Sequence, residues 1–225
     1  MLSQMWNSLT TRPDFYLQLL LQHLYISLTA ILIASVIGLI IGILISEYRK
    51  PSGFVLAVIN IVYTIPSISL LGLLIPLSGI GNTTAVIALT IYALLPMVRN
   101  THTGLTGIDP AIIEAARGMG STDWQILYKI KLPLALPVIV SGLRNMVVMT
   151  VALTGIASFI GAGGLGVAIY RGITTNNLAM TLAGSVLIAA LAFFMDAVVG
   201  GIGRLIESRT CRNWFTMWVN RRRVS

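Results

Sequence analysis

Asp109-Pro110-Ala111-Ile112-Ile113-Glu114-Ala115-Ala116-Arg117-Gly118-Met119-Gly120, continued by Ser121 to Ile130 and closed by Lys131-Leu132-Pro133, is the one long polar stretch between two apolar runs of membrane length. Asp109 is a strong helix N-cap, and Pro110 suits the first helical position, where its missing N–H costs nothing. Ile112, Ala115, Ala116 and Met119 recur at helical spacing and share a face. Glu114 and Arg117 fall on another face, close enough to pair. Gly118 and Gly120 are expected to end this helix, since glycine takes the left-handed C-cap conformation freely. Thr122 and Gln125 have capping-box spacing and start a second helix. Lys129 and Lys131 lie in its last turn, where the dipole favours cations, and Pro133 is expected to stop it. The stretch reads as helix, glycine bend and helix at a membrane surface.

Outward from it, the composition is that of a membrane protein. Of 225 residues, 56% are hydrophobic and 10% charged, against roughly 25% charged in soluble domains. Apolar runs of about 20 residues recur, the length that crosses a hydrocarbon core. The net charge of +8 does not point to nucleic acid, because the basic residues flank the apolar runs and serve as topology signals and lipid contacts. A single cysteine, Cys211, excludes a disulfide framework within the chain. His23 and His102 are the only histidines and lie far apart, so no metal site is expected. No cleavable signal is expected, since the first apolar run is full membrane length behind a weakly basic flank.

Five spans are expected, over about 24–46, 54–77, 83–99, 134–159 and 178–203. Residues 1–22 read as an extracytoplasmic or interfacial segment with a short helix, 23–208 as the transmembrane domain and 209–225 as a basic tail. Arg209, Arg212, Arg221, Arg222 and Arg223 of that tail surround Trp214, Phe215 and Trp218, the make-up of an interfacial anchor. Pro66 and Pro76 interrupt the second span, where Thr64, Ser67 and Ser69 are placed to satisfy freed backbone groups. Twelve basic residues fall on one side of these spans and two, Arg12 and Arg171, on the other. The positive-inside rule then puts the N-terminus outside and both the 109–133 loop and the C-terminus in the cytoplasm. No Gly-x-x-x-x-Gly-Lys-[Ser/Thr] phosphate loop is present.

Glu-Ala-Ala, three residues, Gly, nine residues, then Ile-x-Leu-Pro resembles the signature loop of permease subunits of type I ABC importers. Glu114, Ala115, Ala116, Gly120, Ile130, Leu132 and Pro133 match it without departure. The resemblance implies an all-α permease fold like that of the methionine importer. It implies that Glu114, Ala115, Ala116, Arg117, Gly118 and Gly120 dock on a separate ATPase subunit, which would hold the ATP and Mg²⁺; no cofactor is expected on this chain. It further implies a second permease, identical or homologous, an extracytoplasmic substrate-binding protein and a bacterial inner-membrane location.

Ser158-Phe159-Ile160-Gly161-Ala162-Gly163-Gly164-Leu165-Gly166 reads either as a sharply bent, closely packed backbone or as a flexible loop. The element resembles permeases for glycine betaine and related osmoprotectants, and also for methionine. From Tyr63-Thr64-Ile65-Pro66-Ser67 to Arg204-Leu205-Ile206-Glu207 the chain resembles the osmoprotectant branch, with betaine, carnitine or choline as substrates. Path and gate candidates are Tyr63, Pro66, Tyr92, Arg144, Asp196, Gly161, Gly163 and Gly164. Tyr63 and Tyr92 either line the path or only pack. Arg144 and Asp196 sit at matched depths inside the fourth and fifth spans, where they either pair, as a gate latch, part of the path or structure, or Arg144 snorkels toward the cytoplasm. A secondary transporter would show paired repeats and more buried ionisable groups. A channel would show a filter or charged ring, and an enzyme a nucleophile–base or metal constellation.

Overall fold

The computed structural model describes the backbone of residues 2–222, and their side chains apart from those at 2, 49–51 and 207–222. The expected aromatic and basic anchor of the tail lies outside these side chains. Among the described residues there are ten α-helices and no strand. They are α1 (Leu2–Thr11), α2 (Pro13–Glu47), α3 (Arg49–Thr64), α4 (Ser67–Ser78), α5 (Asn82–Thr106), α6 (Pro110–Gly118), α7 (Asp123–Ile126), α8 (Leu132–Ala157), α9 (Gly166–Thr174) and α10 (Leu178–Arg222).

Four helical stretches are long and apolar enough to span a membrane: Pro13–Glu47, Asn82–Thr106, Asp123–Ile160 and Leu178–Ile206. A fifth exists if α3 and α4, bent by 97° at their break, count as one span. The second span is therefore a broken one. Ile65 and Pro66 are extended at the break, because Pro66 has no N–H to donate and disfavours helix in the residue before it. The freed Ile65 carbonyl accepts a hydrogen bond from the Tyr92 hydroxyl, not from the serines that follow it.

Central to the bundle is α5, packed between α2 and α8. Glycine brings these backbones together: a Cβ on Gly38 would lie 2.8 Å from Met97, one on Gly42 2.5 Å from Thr101, and one on Gly142 against Asn100. Close approach of this kind replaces the hydrophobic drive that lipid removes. Around these contacts Ile31, Ala34, Ala93, Met97, Ile139, Met146 and Val147 form one core cluster.

Three expectations change. The first 22 residues divide at Arg12, so that α1 is a separate short helix and residues 13–22 belong to the first long one. The third span does not end at Arg99, since α5 continues to Thr106. Pro133 does not stop a helix either. Residues Leu127–Lys131 widen into a π-turn in which Leu132 N–H bonds the Leu127 carbonyl, and the wider turn accommodates the proline that follows. The chain therefore stays helical from Asp123 to Ile160.

Candidate functional site

At one end of the bundle the 109–133 loop forms two capped helices. The Asp109 carboxylate accepts the Ala111 N–H at 2.9 Å, with Pro110 in the first turn. At the other end of α6, Gly120 N–H bonds the Arg117 carbonyl and Ser121 N–H the Ala116 carbonyl. This is the double bond of a Schellman cap, which needs a left-handed residue; Gly120 has φ +83°, whereas Gly118 is still helical. The Thr122–Gln125 capping box is complete.

The polar pair expected on α6 is replaced by another. Arg117 reaches across the bend to Asp123 at 2.9 Å, because the Schellman turn brings the start of α7 beneath it, and Glu114 forms none of the ion pairs among the described residues. Of the apolar face, Ala116 alone is buried. Ile112 is exposed, as are Met119 at 71%, Trp124 at 73% and Tyr128 at 67%. The loop thus offers a rigid, partly apolar surface around an unpaired carboxylate. It is tied to the bundle by Lys131, whose Nζ bonds the Glu47 carboxylate at 2.6 Å, where both side chains are mostly covered.

Midway along the bundle a cavity of about 680 Å³ is lined by residues of α3, α5, α8 and α10. Arg144 and Asp196 meet there, Nε to Oδ1 at 2.8 Å and a terminal nitrogen to Oδ2 at 2.6 Å. This bidentate geometry is the strong form of the pair. Gly200 leaves room for it, since a Cβ there would lie 3.2 Å from the guanidinium carbon. Tyr63 lines the cavity and donates to Met149 Sδ at 3.4 Å. Tyr92 stacks edge-on against Tyr63 with centroids 5.7 Å apart, but is buried behind it. Pro66 is also absent from the wall and acts through the break between α3 and α4.

At the opposite end, Gly161, Gly163 and Gly164 lie in an ordered turn. Gly163 N–H donates to Asn82 Oδ1 at 2.9 Å, and Gly164 N–H to Gln22 Oε1 at 3.2 Å. A Cβ on Gly163 would meet Gln22 Oε1 at 2.5 Å, so the sequence is glycine where the polar side chain must approach. His23 is fully buried next to them. Its Nδ1 takes the Leu165 N–H at 3.2 Å and its Nε2 lies 2.9 Å from the Val151 carbonyl. An N–H can only donate and a carbonyl only accept, so Nε2 carries the proton. The glycine-rich connection also contains α9, which packs on α10.

Sequence reasoning missed Arg99, Asn60, Gln22, His23, Asn82 and Asp123. Arg99 stands where the apolar run ends, which marks it as a border residue. Asp123 meets Arg117 six residues away, but only because of the turn between them; the rest are polar residues whose partners are remote in sequence, and no local pattern marks them.

Long apolar helices, one of them broken, with a capped helix pair at one end and a polar cavity midway, define a multi-pass transport subunit. Residues 19–210 match the family described as the binding-protein-dependent transport system inner membrane component, and the chain belongs to that family. The glycine betaine/carnitine/choline transport system permease protein OpuCD of Bacillus subtilis (strain 168) is 40% identical over 207 residues, 92% of this chain and 90% of that one. The osmoprotectant import permease protein OsmW of Salmonella typhimurium (strain LT2) is 44% identical over 180 residues, 78% and 84% of the two chains. An inward-facing structure of the MetNI methionine ABC transporter superposes with a TM-score of 0.80 at 27% identity, covering 87% of this chain and 98% of that one. The fold is that of an ABC importer permease.

Proposed function

We propose that this chain is the permease subunit of an ATP-driven importer of osmoprotectants such as glycine betaine, carnitine or choline. The geometry that supports an importer is the capped pair α6–α7, with exposed Met119, Trp124 and Tyr128 at one end of the long helices. Exposed aromatics and methionine on a rigid scaffold suit a protein partner, here an ATPase subunit holding ATP and Mg²⁺. Glu114, Ala115, Ala116, Arg117, Gly118 and Gly120 are its docking residues. The substrate class is carried by relatives that bear these solutes in their names and align over most of the chain. The assembly has a second permease and a binding protein that delivers solute. In the membrane the 109–133 loop faces the cytoplasm and the glycine turn faces outward.

The test is reconstitution in proteoliposomes with a cognate ATPase and binding protein, followed by uptake of labelled glycine betaine. Uptake that requires ATP and is competed by carnitine or choline is the expected result. The likeness to MetNI favours a second reading, a methionine permease. Uptake of methionine with none of the three osmolytes would sink the first reading and leave that one.

A further inference from the structure

Arg99 lies seven residues before the end of α5, about 10 Å inside the helix at 1.5 Å per residue. It lines the same cavity as Arg144 and Asp196. Their levels agree, because Gly142 of α8 touches Asn100 of α5, which sets residues 99 and 144 close to the same depth on antiparallel neighbours. Two arginines and one aspartate therefore face one cavity. Arg144 and Asp196 compensate each other through two hydrogen bonds. Arg99 forms no ion pair among the described residues; a terminal nitrogen donates to the neutral Asn60 Oδ1 at 2.7 Å. A guanidinium has five donor hydrogens, so most of its capacity remains unused toward the cavity.

The cavity thus carries one positive charge that has no ionic partner among the described residues, on a side chain that solvent reaches. A carboxylate relieves it best, because its two oxygens match the guanidinium fork. A free cation is repelled. A zwitterion places its carboxylate on Arg99 and leaves its cationic end to the Tyr63 ring, an aromatic surface of the kind that takes quaternary ammonium. The volume, about 680 Å³, is within the ordinary range for small-solute pockets.

We propose that this cavity is a solute subsite within the permease itself, selective for zwitterionic carboxylates, with Arg99 as the carboxylate ligand. The inference rests on the osmoprotectant reading. It adds that the permease, and not only the binding protein that delivers solute, distinguishes a betaine from choline.

The experiment measures binding of labelled glycine betaine to the full permease–ATPase complex in vesicles, without binding protein, with unlabelled glycine betaine and choline as competitors. Saturable binding is expected, with choline displacing it at least about tenfold less well. Arg99→Gln should weaken binding at least about tenfold, the usual scale for losing a charged hydrogen bond, and Arg99→Lys should restore part of it. Absence of saturable binding, equal displacement by choline, or unchanged binding in Arg99→Gln each overturns the subsite. So does an Arg99→Gln effect confined to vesicles with anionic lipid, which would make the arginine a lipid headgroup ligand. Uptake by the wild-type complex with binding protein is measured in parallel. Uptake without the binding result removes the subsite alone, whereas no uptake of any osmolyte removes the reading beneath it.

Discussion

Arg144 of α8 and Asp196 of α10 are joined by two parallel hydrogen bonds of 2.8 and 2.6 Å in the wall of a cavity, with the guanidinium lying over the bare Cα of Gly200. The two side chains are 45% and 29% exposed, so solvent screens the pair and its contribution is better sought in transport than in stability. Arg144→Gln or Asp196→Asn alone leaves one charge without its partner and should reduce uptake severalfold. The exchanged variant, Arg144→Asp with Asp196→Arg, should recover part of the loss. Strictly additive effects on uptake would show that the pair does not act as a unit.

A second expectation concerns Gly120. Nothing lies within 4 Å of where its Cβ would be, yet φ is +83°. The constraint is purely one of backbone conformation. Gly120→Val should therefore cost about 1–2 kcal/mol through left-handed strain, while Gly120→Asn is tolerated better. Measured as ATP-driven uptake per ATP hydrolysed, the valine variant should uncouple and the asparagine variant should not. If both couple normally, the cap is not required for docking. Glu114→Lys reverses an exposed, unpaired charge. It should weaken capture of the ATPase on a permease column without lowering the melting temperature.

His23 satisfies two backbone groups at once, Leu165 N–H and the Val151 carbonyl. His23→Ala orphans both in a dry site, at about 1–3 kcal/mol each. Thermal denaturation in detergent should register the loss, and cleavage by protease near the 161–166 turn should quicken. An unchanged melting temperature would mean that water or a neighbouring side chain replaces the ring.

Two glycines that look alike in sequence should behave oppositely. A Cβ on Gly166 would run into the carbonyl of Gly155, whereas one on Gly118 meets nothing. Gly166→Ala should therefore abolish accumulation of folded protein. Gly118→Ala, in helical conformation, should stabilise by about 0.4–1 kcal/mol by restricting the unfolded chain. Expression and melting temperature of the pair decide this, and equal behaviour would count against the close packing of α9 on α8.

What was legible in the sequence was local or periodic. The capping residues Asp109, Thr122 and Gln125 announce their bonds within three positions, and apolar runs locate the long helices. The depths of Arg144 and Asp196 could be counted along two spans, and they meet. Partners joined across the fold were not legible. Arg117 prefers Asp123 to Glu114 because of a turn whose shape no spacing rule supplies, and Lys131 finds Glu47 at a border that only the assembled bundle creates. Arg99 looks like the end of a span for a related reason. The hydropathy drops at Asn100-Thr101-His102, but those residues are packed against α2 and α8 rather than exposed, so the helix goes on.

The uninterrupted helix from Asp123 to Ile160 has 38 residues, about 57 Å of rod at 1.5 Å per residue. Trp124 and Tyr128 stand at one tip, Arg144 near the middle, and Val151 and Gly155 toward the other tip, against His23 and Gly166. The π-turn spares it the joint that Pro133 would otherwise have made. A push on the first tip is then felt as a tilt of the whole rod. The tight crossing of Gly142 over Asn100 lies between the two tips, with the cavity beside it, so one rod joins the exposed loop, the cavity wall and the packing around His23.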